Sequence, residues 1–291
     1  MGAAPLPRTV KELVLTSARW LQGRGVEDAR VDAELLVASA LARDRLGLWL
    51  VHDMPVNEAL LAQVRELMRR RGAGEPVAYI LGEREFHGFA FRVTPATLIP
   101  RPETEHLVDE ALALLPPVSE ARPRVIDLGT GTGCIAIVLA ARRRDLQVAA
   151  VDLSPDALAV AEHNARVHGV QVAFSHADML ESLDRSESYD LVLSNPPYIT
   201  SAERSGLQRE VRDWEPAQAL FSGDDALHFH AAIAARLPRV LSSGGHALLE
   251  LPALDGAMLV RAKGLGESHG LAARFVNDLA GLPRVLVLSK P

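Results

Sequence analysis

The chain has 291 residues, of which 48% are hydrophobic and 23% charged, and its formal net charge is −6 at pH 7. This balance predicts a well-buried globular protein of one large or two smaller domains. One cysteine excludes an internal disulfide framework, and no apolar run approaches membrane-spanning length. The first residues lack a basic segment followed by an apolar core, so we expect a cytoplasmic protein that contacts no membrane.

The first part of the chain is predicted to be helical. Apolar residues recur there at helical spacing, which predicts three or more amphipathic helices, around Val10–Leu21, Leu35–Leu41 and Leu60–Met68. The last of these ends in Arg69–Arg71, where cations favour a helix C-terminus, and Gly72 and Gly74 then break it. Such a basic cluster can touch RNA, but a solvated helix end is its commoner meaning.

From Arg124 onward, apolar strand-like runs alternate with helices, which is the pattern of a parallel sheet wound with crossover connections. Strands are predicted around Val125–Leu128, Val148–Val151, Gln171–Phe174, Leu191–Leu193, His246–Leu251 and Arg284–Leu288, the last with antiparallel potential. Before this region, strand-forming residues around Gly88 predict a hairpin. We therefore expect a helical domain over residues 1–84, a linking hairpin over 85–100 and a catalytic α/β domain over 101–291.

A glycine loop follows the first strand of the α/β region and is a candidate ligand site. Glycines let the backbone approach a ligand closely, and the helix after the loop offers free N–H groups. The loop residues are Gly129, Thr130, Gly131, Thr132 and Gly133. About twenty residues on, the next strand ends in Asp152, where an acid can bind ribose hydroxyls. Asp178 can accept from an adenine amino group and Met179 can pack on the base, but a capping acid and a core methionine are the alternatives.

The stretch Asn195-Pro196-Pro197-Tyr198 is a candidate for chemistry. Its two prolines hold the backbone stiffly. The side-chain carbonyl of Asn195 and the backbone carbonyl of Pro196 can together accept both hydrogens of one planar NH2 group. Tyr198 offers a ring face to a flat group. An ordinary turn after a strand is the alternative, but ligands of open α/β sheets bind at the carboxyl ends of the strands, where Asn195, the glycine loop and Asp152 should converge.

With these motifs in this order, the chain resembles class I S-adenosylmethionine-dependent methyltransferases. Over nearly its full length it looks like the bacterial release-factor glutamine methyltransferases, the HemK/PrmC family. Further segments that fit the family are Tyr79–Gly82, Phe86–Gly88, Ile99–Glu105, Glu215–Pro216 and Ala219–Asp224. The resemblance implies a Rossmann-like, mostly parallel sheet with an antiparallel last strand, a small helical N-terminal domain for substrate recognition, and a linking β-hairpin.

The resemblance also implies an activity, which is methylation of the side-chain N5 of the glutamine in the Gly-Gly-Gln loop of class 1 peptide chain release factors. S-adenosylmethionine is the implied donor and S-adenosylhomocysteine the product. Donor contacts are assigned to the glycine loop, Asp152, Asp178, Met179 and Asn195. Catalysis is assigned to Asn195, Pro196 and Tyr198, and Pro197 joins these three in substrate binding. We expect no metal and a monomer.

Two positions depart from the usual family pattern. Glu250-Leu-Pro252 stands where a glycine commonly follows the apolar residue, and Met179 occupies a position that is often aromatic. The segment Glu203–Glu215 is polar and is expected to be an irregular, substrate-facing loop. Cys134 is assigned a packing role rather than that of a nucleophile.

Other functions share the catalytic motif. A sister group methylates a ribosomal-protein glutamine, although Arg101–Thr104 looks more like the release-factor branch. An adenine or cytosine amino-methyltransferase would present the same motif to a flipped base. The acidic charge balance and the lack of a DNA-recognition module argue against direct DNA contact. A non-enzymatic ribosome-binding or release-factor-binding protein is a further alternative, against which the intact donor loop argues.

Overall fold

The computed structural model describes residues 8–118, 122–184 and 187–291. The helices are α1 (Val10–Gln22), α2 (Ala29–Ala40), α3 (Arg45–Trp49), α4 (Glu58–Gly72), α5 (Val77–Leu81), α6 (Glu103–Leu114), α7 (Cys134–Arg142), α8 (Pro155–Val167), α9 (Met179–Leu183), α10 (Arg209–Trp214), α11 (Ala217–Leu220), α12 (His228–Ala234), α13 (Leu237–Val240) and α14 (Gly256–Glu267). The strands are β1 (Glu83–Phe86), β2 (Phe89–Arg92), β3 (Arg124–Leu128), β4 (Gln147–Asp152), β5 (Ala173–His176), β6 (Tyr189–Ser194), β7 (Ile199–Thr200), β8 (Phe221–Gly223), β9 (Leu241–Glu250), β10 (Ala272–Asn277) and β11 (Pro283–Ser289).

The chain divides into two compact units. The first comprises Met1–Gly82 and Gln208–Trp214, and the second comprises Glu83–Leu207 and Glu215–Pro291. In the first unit, α1, α2 and α4 bury one apolar core that includes Leu13, Leu36 and Val64. The predicted helical periodicity is therefore confirmed. Among the described residues, no helix combines the length and the apolar character needed to cross a membrane.

The basic end of α4 differs from the prediction of a solvated helix terminus. Arg71 is only 7% exposed. Its Nε donates to Asp32 Oδ2 of α2 at 2.6 Å, and it also pairs with Glu210. Burial raises the pKa of Asp32, and the Arg71 guanidinium opposes that shift. The prediction is wrong for Arg71, and Gly72 is still part of the helix, whereas Arg69 is exposed.

The segment Glu203–Glu215 is also more regular than predicted. A 3-10 helix covers Ser201–Gly206, and its first turn is closed by a capping box in which Thr200 and Glu203 exchange hydrogen bonds. The helix α10 then covers Arg209–Trp214. A capping box satisfies backbone donors that a helix start leaves free, so polar residues at this start stabilise structure.

Within the described residues, a seven-stranded sheet has the order β10-β11-β9-β6-β3-β4-β5. The strands β9, β6, β3, β4 and β5 are parallel, while β11 is antiparallel to both neighbours. The predicted fold, including the antiparallel last strand, is confirmed. The hairpin β1–β2 turns at Gly88, as expected. The strand β5 begins at Ala173, later than predicted, and β10 and α14 were not predicted.

Both faces of the sheet are covered. Successive residues of a strand point to opposite faces, and here they enter different cores. Val125 and Leu191 belong to one core, together with α6 and α7, whereas Ile126 and Val192 belong to the other, together with α12 and α13. Continuous apolar strands are expected when helices cover both sides of a parallel sheet.

We expect Arg71→Ala to destabilise the protein by about 3–5 kcal/mol, because Asp32 would keep a buried carboxylate without its cation. Urea unfolding followed by circular dichroism measures this. Arg69→Ala is the matched control, since Arg69 pairs with Glu66 at the surface and its removal should leave the urea midpoint close to wild type. Equal midpoints for the two variants would contradict the assigned role of Arg71.

Candidate active site

The strand register brings the predicted site residues to one edge of the sheet. Leu128, the last residue of β3, pairs with Val151 of β4 on one side and with Ser194 of β6 on the other. The glycine loop, Asp152 and Asn195 each begin directly after these three paired residues. Because the strands are parallel, their carboxyl ends lie together. The predicted convergence therefore follows from the observed register.

The glycine loop and Asp152 are joined by hydrogen bonds. The backbone N–H groups of Gly129 and Thr130 donate to the carbonyl of Val151 at 2.9 and 3.0 Å. Gly131 N donates to Asp152 Oδ2 at 2.8 Å, and Ser154 N donates to Asp152 Oδ1 at 2.9 Å. Asp152 is therefore oriented by backbone donors on both of its oxygens, each of which retains acceptor capacity.

Two glycines of the loop have different surroundings. Gly133, with φ +80°, lies so close to α7 and α8 that an added Cβ would meet Ile137 Cδ1 at 2.8 Å and Ala161 Cβ at 3.1 Å. Gly131, with φ +56°, has no atom within 4 Å of such a Cβ among the described residues. Gly133 therefore packs the loop against the helices, while Gly131 faces open space that a ligand can occupy.

Polar side chains in the glycine loop and next to it are buried. Thr130 Oγ1 donates to Asp127 Oδ2 at 2.6 Å, and burial raises the pKa of Asp127 to about 7. Burial also raises the pKa of Cys134 to about 12, which keeps its thiol protonated and supports the packing role assigned to it. Asn164 of α8 donates to the carbonyls of Thr132 and Arg92, so it ties the loop to β2.

After β5, Asp178 is a capping acid and Met179 packs against the core, which are the alternatives to base contacts that the sequence left open. Asp178 is the N-cap of α9, and its Oδ1 accepts from Leu180 N at 2.7 Å and from Glu181 N at 3.3 Å. Met179 packs against one of the sheet cores, and its Cε lies 3.3 Å from where a Cβ on Gly129 would stand. Met179 therefore lies beside the glycine loop, and the role of both residues toward a base stays a prediction.

Asn195 is held by a hydrogen-bonded relay that the sequence reasoning missed. Its Nδ2 donates to Thr104 Oγ1 of α6 at 3.2 Å. Thr104 Oγ1 in turn donates to Glu250 Oε2 at the end of β9 at 2.6 Å. Thr104 is 2% exposed and Glu250 is 2% exposed, whereas Asn195 is only partly buried. The relay therefore runs from a buried carboxylate to the amide at the candidate site.

The pKa values of Glu250 and Tyr198 are both raised. Burial raises the pKa of Glu250 to about 7, and the hydrogen bond from Thr104 opposes that shift. Burial raises the pKa of Tyr198 as well, and the nearby Glu250 adds to this shift, so the phenol stays protonated at neutral pH.

The carboxylate of Glu215 accepts from Arg101 Nη2 at 2.5 Å and from Ile99 N at 3.2 Å, which fixes the segment before α6.

The missed residues had partial signals in the sequence. Thr104 lies in the segment Ile99–Glu105, which matches the family pattern, but that match predicts no contact for it. Glu250 belongs to a segment that departs from that pattern. The deciding fact is that β9 pairs in parallel with β6, with Leu249 opposite Ser194, so Glu250 and Asn195 leave the sheet side by side. Strand order of this kind is not readable from a single sequence.

Comparisons with known proteins identify the family of this chain. The family model "Methyltransferase small domain" matches residues 105–211, and "PrmC N-terminal domain" matches residues 12–82. The chain is 45% identical to a release factor glutamine methyltransferase of Nitratidesulfovibrio vulgaris, covering 96% of this chain and 94% of the relative. The chain belongs to the release factor glutamine methyltransferase family. It is therefore a methyltransferase, as predicted.

A second relative is similar in sequence, and a solved structure is similar in fold. A release factor glutamine methyltransferase of Geobacter sulfurreducens is 42% identical and covers 84% of each chain. The crystal structure of a methyltransferase from Pyrococcus furiosus has a TM-score of 0.51 and 16% identity, and covers 79% of this chain and 98% of that one. The second similarity bears on the fold alone, and it supports the predicted class I sheet.

We expect Gly133→Ala to destabilise the protein by about 2 kcal/mol or more, because a side chain there would combine a left-handed backbone with overpacking against Ile137 and Ala161. Thermal unfolding measures this. Gly256→Ala is the control, since Gly256 begins α14 without a positive φ and an added Cβ meets nothing within 4 Å among the described residues. The packing assigned to Gly133 would be wrong if both variants unfolded at the wild-type temperature.

Proposed function

We propose that this chain transfers the methyl group of S-adenosylmethionine to the side-chain amide nitrogen of the glutamine in the Gly-Gly-Gln loop of class 1 peptide chain release factors. Membership of the family supports the substrate. The observation that carries the chemistry is the oriented amide of Asn195, whose nitrogen is engaged by Thr104. A primary amide fixed through its nitrogen presents its carbonyl oxygen on the other side, as an acceptor for a substrate N–H.

The difficulty of the reaction explains why acceptors are needed. An amide nitrogen is a poor nucleophile, because its lone pair is delocalised into the carbonyl by the resonance that keeps a peptide planar. Asn195 Oδ1 and the Pro196 carbonyl would hold both N–H bonds of the substrate amide and fix the plane of its nitrogen. They would also stabilise the positive charge that develops on that nitrogen. Tyr198, which burial keeps protonated, would pack against the flat amide.

The donor site is proposed at the glycine loop. When bound, S-adenosylmethionine supplies a methyl group on a positively charged sulfur. The open space beside Gly131 and the oriented carboxylate of Asp152 fit a ligand with ribose hydroxyls at this position. Met179 lies beside Gly129, where its flexible thioether can pack against a base. Asp178 Oδ1 caps α9, so an adenine contact would use the remaining acceptor capacity of this carboxylate.

Recognition of the protein substrate is proposed for the helical domain over residues 1–84, with residues 85–100 as its link to the methyltransferase domain over 101–291. The match of the PrmC N-terminal domain to residues 12–82 supports this assignment. We further propose that the enzyme acts as a monomer in the cytoplasm, where release factors function.

Substitutions in the proposed donor site and at Asn195 should have different effects. Asp152→Ala removes a charged acceptor from the donor site and should weaken donor binding by about 1.5–3 kcal/mol, or roughly one to two decades. Asn195→Ala should instead lower the single-turnover rate by about a hundredfold or more with a smaller change in donor affinity, because its contact strengthens in the transition state. Calorimetry and rapid-quench methyl transfer measure the two effects.

The control for this pair is Asp156→Ala, which removes one exposed carboxylate from the first turn of α8 and should leave both quantities unchanged. Unchanged donor affinity in Asp152→Ala would remove that residue from the donor site. A wild-type rate in Asn195→Ala together with lost donor binding would make Asn195 a donor contact only.

The identity of the substrate is tested by offering alternatives with a labelled donor. We expect an intact release factor to be methylated more than about tenfold faster than a short peptide carrying its glutamine loop, because remote contacts supply positioning that the peptide lacks. The Gln→Ala loop variant of the release factor should carry no label. Label on duplex or single-stranded DNA, on the loop variant, or preferentially on a ribosomal protein would replace this proposal with the corresponding alternative.

A further inference from the structure

Thr104 and Glu250 are buried polar residues that the proposed chemistry does not use directly. A carboxamide has nearly the same shape at its oxygen and nitrogen ends, so packing alone does not decide which end of Asn195 faces the substrate. Hydrogen-bond partners decide it. Thr104 is the partner that the structure gives to Asn195, and Glu250 is the partner of Thr104.

The direction of the relay follows from counting hydrogens. The hydroxyl of Thr104 has one hydrogen and two lone pairs, and an ionised carboxylate can only accept. When Thr104 donates its hydrogen to Glu250, its oxygen can only accept from Asn195. The NH2 end of Asn195 must then face Thr104, which leaves the carbonyl end for the substrate. A protonated Glu250 removes this constraint, because it can donate to Thr104, whose own hydrogen is then free to meet the oxygen of Asn195.

We propose that Thr104 and Glu250 are positioning residues, and that the ionised carboxylate of Glu250 turns the carbonyl oxygen of Asn195 toward the substrate amide. This inference rests on the proposed function for its consequence, but the relay itself is a property of the folded chain. Neither residue touches the substrate in this scheme, because Asn195 lies between Thr104 and the substrate, and Thr104 lies between Glu250 and Asn195. Protonation of Glu250 lets the amide turn and present two donors where the substrate needs acceptors.

The surroundings of Glu250 place this switch near neutral pH. Burial raises the pKa of Glu250 to about 7, and its bonded partner is a neutral hydroxyl rather than a cation. His230 of α12 is fully buried and meets the backbone oxygen of Glu250 at 2.7 Å, and burial lowers the pKa of His230, so it stays neutral. Within the described part of the chain, the other titratable or charged groups that face Glu250 are Glu103, Arg101, Arg284, Tyr198 and Cys134.

The dependence on pH has opposite signs for activity and for stability. Activity should rise as the pH increases through about 7, because the ionised carboxylate orients Asn195. Stability should fall from about pH 4.5 to 7, because the folded state holds a proton that the unfolded chain, with its ordinary pKa of 4.5, has released. A substitution that removes the charge of Glu250 therefore relieves this loss of stability at pH 8. Because such a variant should not be less stable at pH 8, a slower reaction there would come from the lost orientation of the Asn195 amide.

The test measures single-turnover methylation of a release factor from pH 6 to 9 for Glu250→Gln, Thr104→Val and Thr104→Ser. Glutamine at 250 can donate as well as accept, and valine at 104 does neither. Both variants should be about tenfold or more slower at pH 8, with a flattened pH dependence and little change in donor affinity. Thr104→Ser keeps the hydroxyl and should restore the rate. Glu267→Gln, the same change at an exposed position of α14, should follow wild type.

A second measurement does not need the substrate. In NMR spectra of the uniformly labelled protein, the carboxyl carbon of Glu250 should titrate near neutral pH, and the side-chain NH2 signals of Asn195 should move with the same midpoint. Glu250→Gln should abolish both changes. If wild type labels no release factor, the proposed function fails while the NMR titration still decides on the relay.

The relay is overturned by any of three results. One is a wild-type rate and pH profile in Glu250→Gln. Another is equal slowness of Thr104→Ser and Thr104→Val, which would indicate a packing defect. The third is an NH2 signal of Asn195 that stays unchanged while Glu250 titrates.

Discussion

The parallel register of β3, β4, β6 and β9 is the constraint on which the candidate site depends. Leu128 lies between Val151 and Ser194, and Ser194 lies opposite Leu249. The carboxyl ends of these strands therefore lie within one residue of the same level, and the residue after each paired position enters one crevice. A register shift of one residue would turn every side chain of the shifted strand to the opposite face of the sheet. The apolar cores on both faces oppose such a shift, so packing far from the site fixes its geometry.

The sequence predicted those parts of the site that are coded locally. A glycine loop between strand and helix, an acid at the next strand end, and Asn195 before two prolines each depend on a few adjacent residues. The relay depends on distant ones, since Asn195 and Thr104 are 91 positions apart and Thr104 and Glu250 are 146 apart. Their meeting requires β9 to lie beside β6, which no local pattern specifies. The burial of Arg71 escaped prediction for the same reason, because its partner Asp32 is 39 positions away.

Among the buried carboxylates of the described residues, Asp32 and Glu250 have different hydrogen-bond partners. A buried charge is costly unless it is paired and hydrogen-bonded. Asp32 has a guanidinium partner, so its charge serves the stability of the helical unit. Glu250 accepts instead from the neutral hydroxyl of Thr104, and burial raises the pKa of both carboxyl groups. Acids with strongly perturbed pKa values cluster at functional sites, which is consistent with the position of Glu250 behind Asn195.

An acceptor pair at Asn195 and Pro196 would also define which substrates are rejected. A glutamine amide offers two N–H donors, whereas a glutamate carboxylate at neutral pH offers none and would face two carbonyl oxygens without a hydrogen between them. Sites built to meet a polar group discriminate strongly against analogues that leave their own groups unpaired. An exocyclic amine of a base offers the same two donors, so this pair alone does not separate a protein from a nucleic acid. That separation must come from surfaces beyond the motif, which is why the choice of a protein substrate rests on family membership.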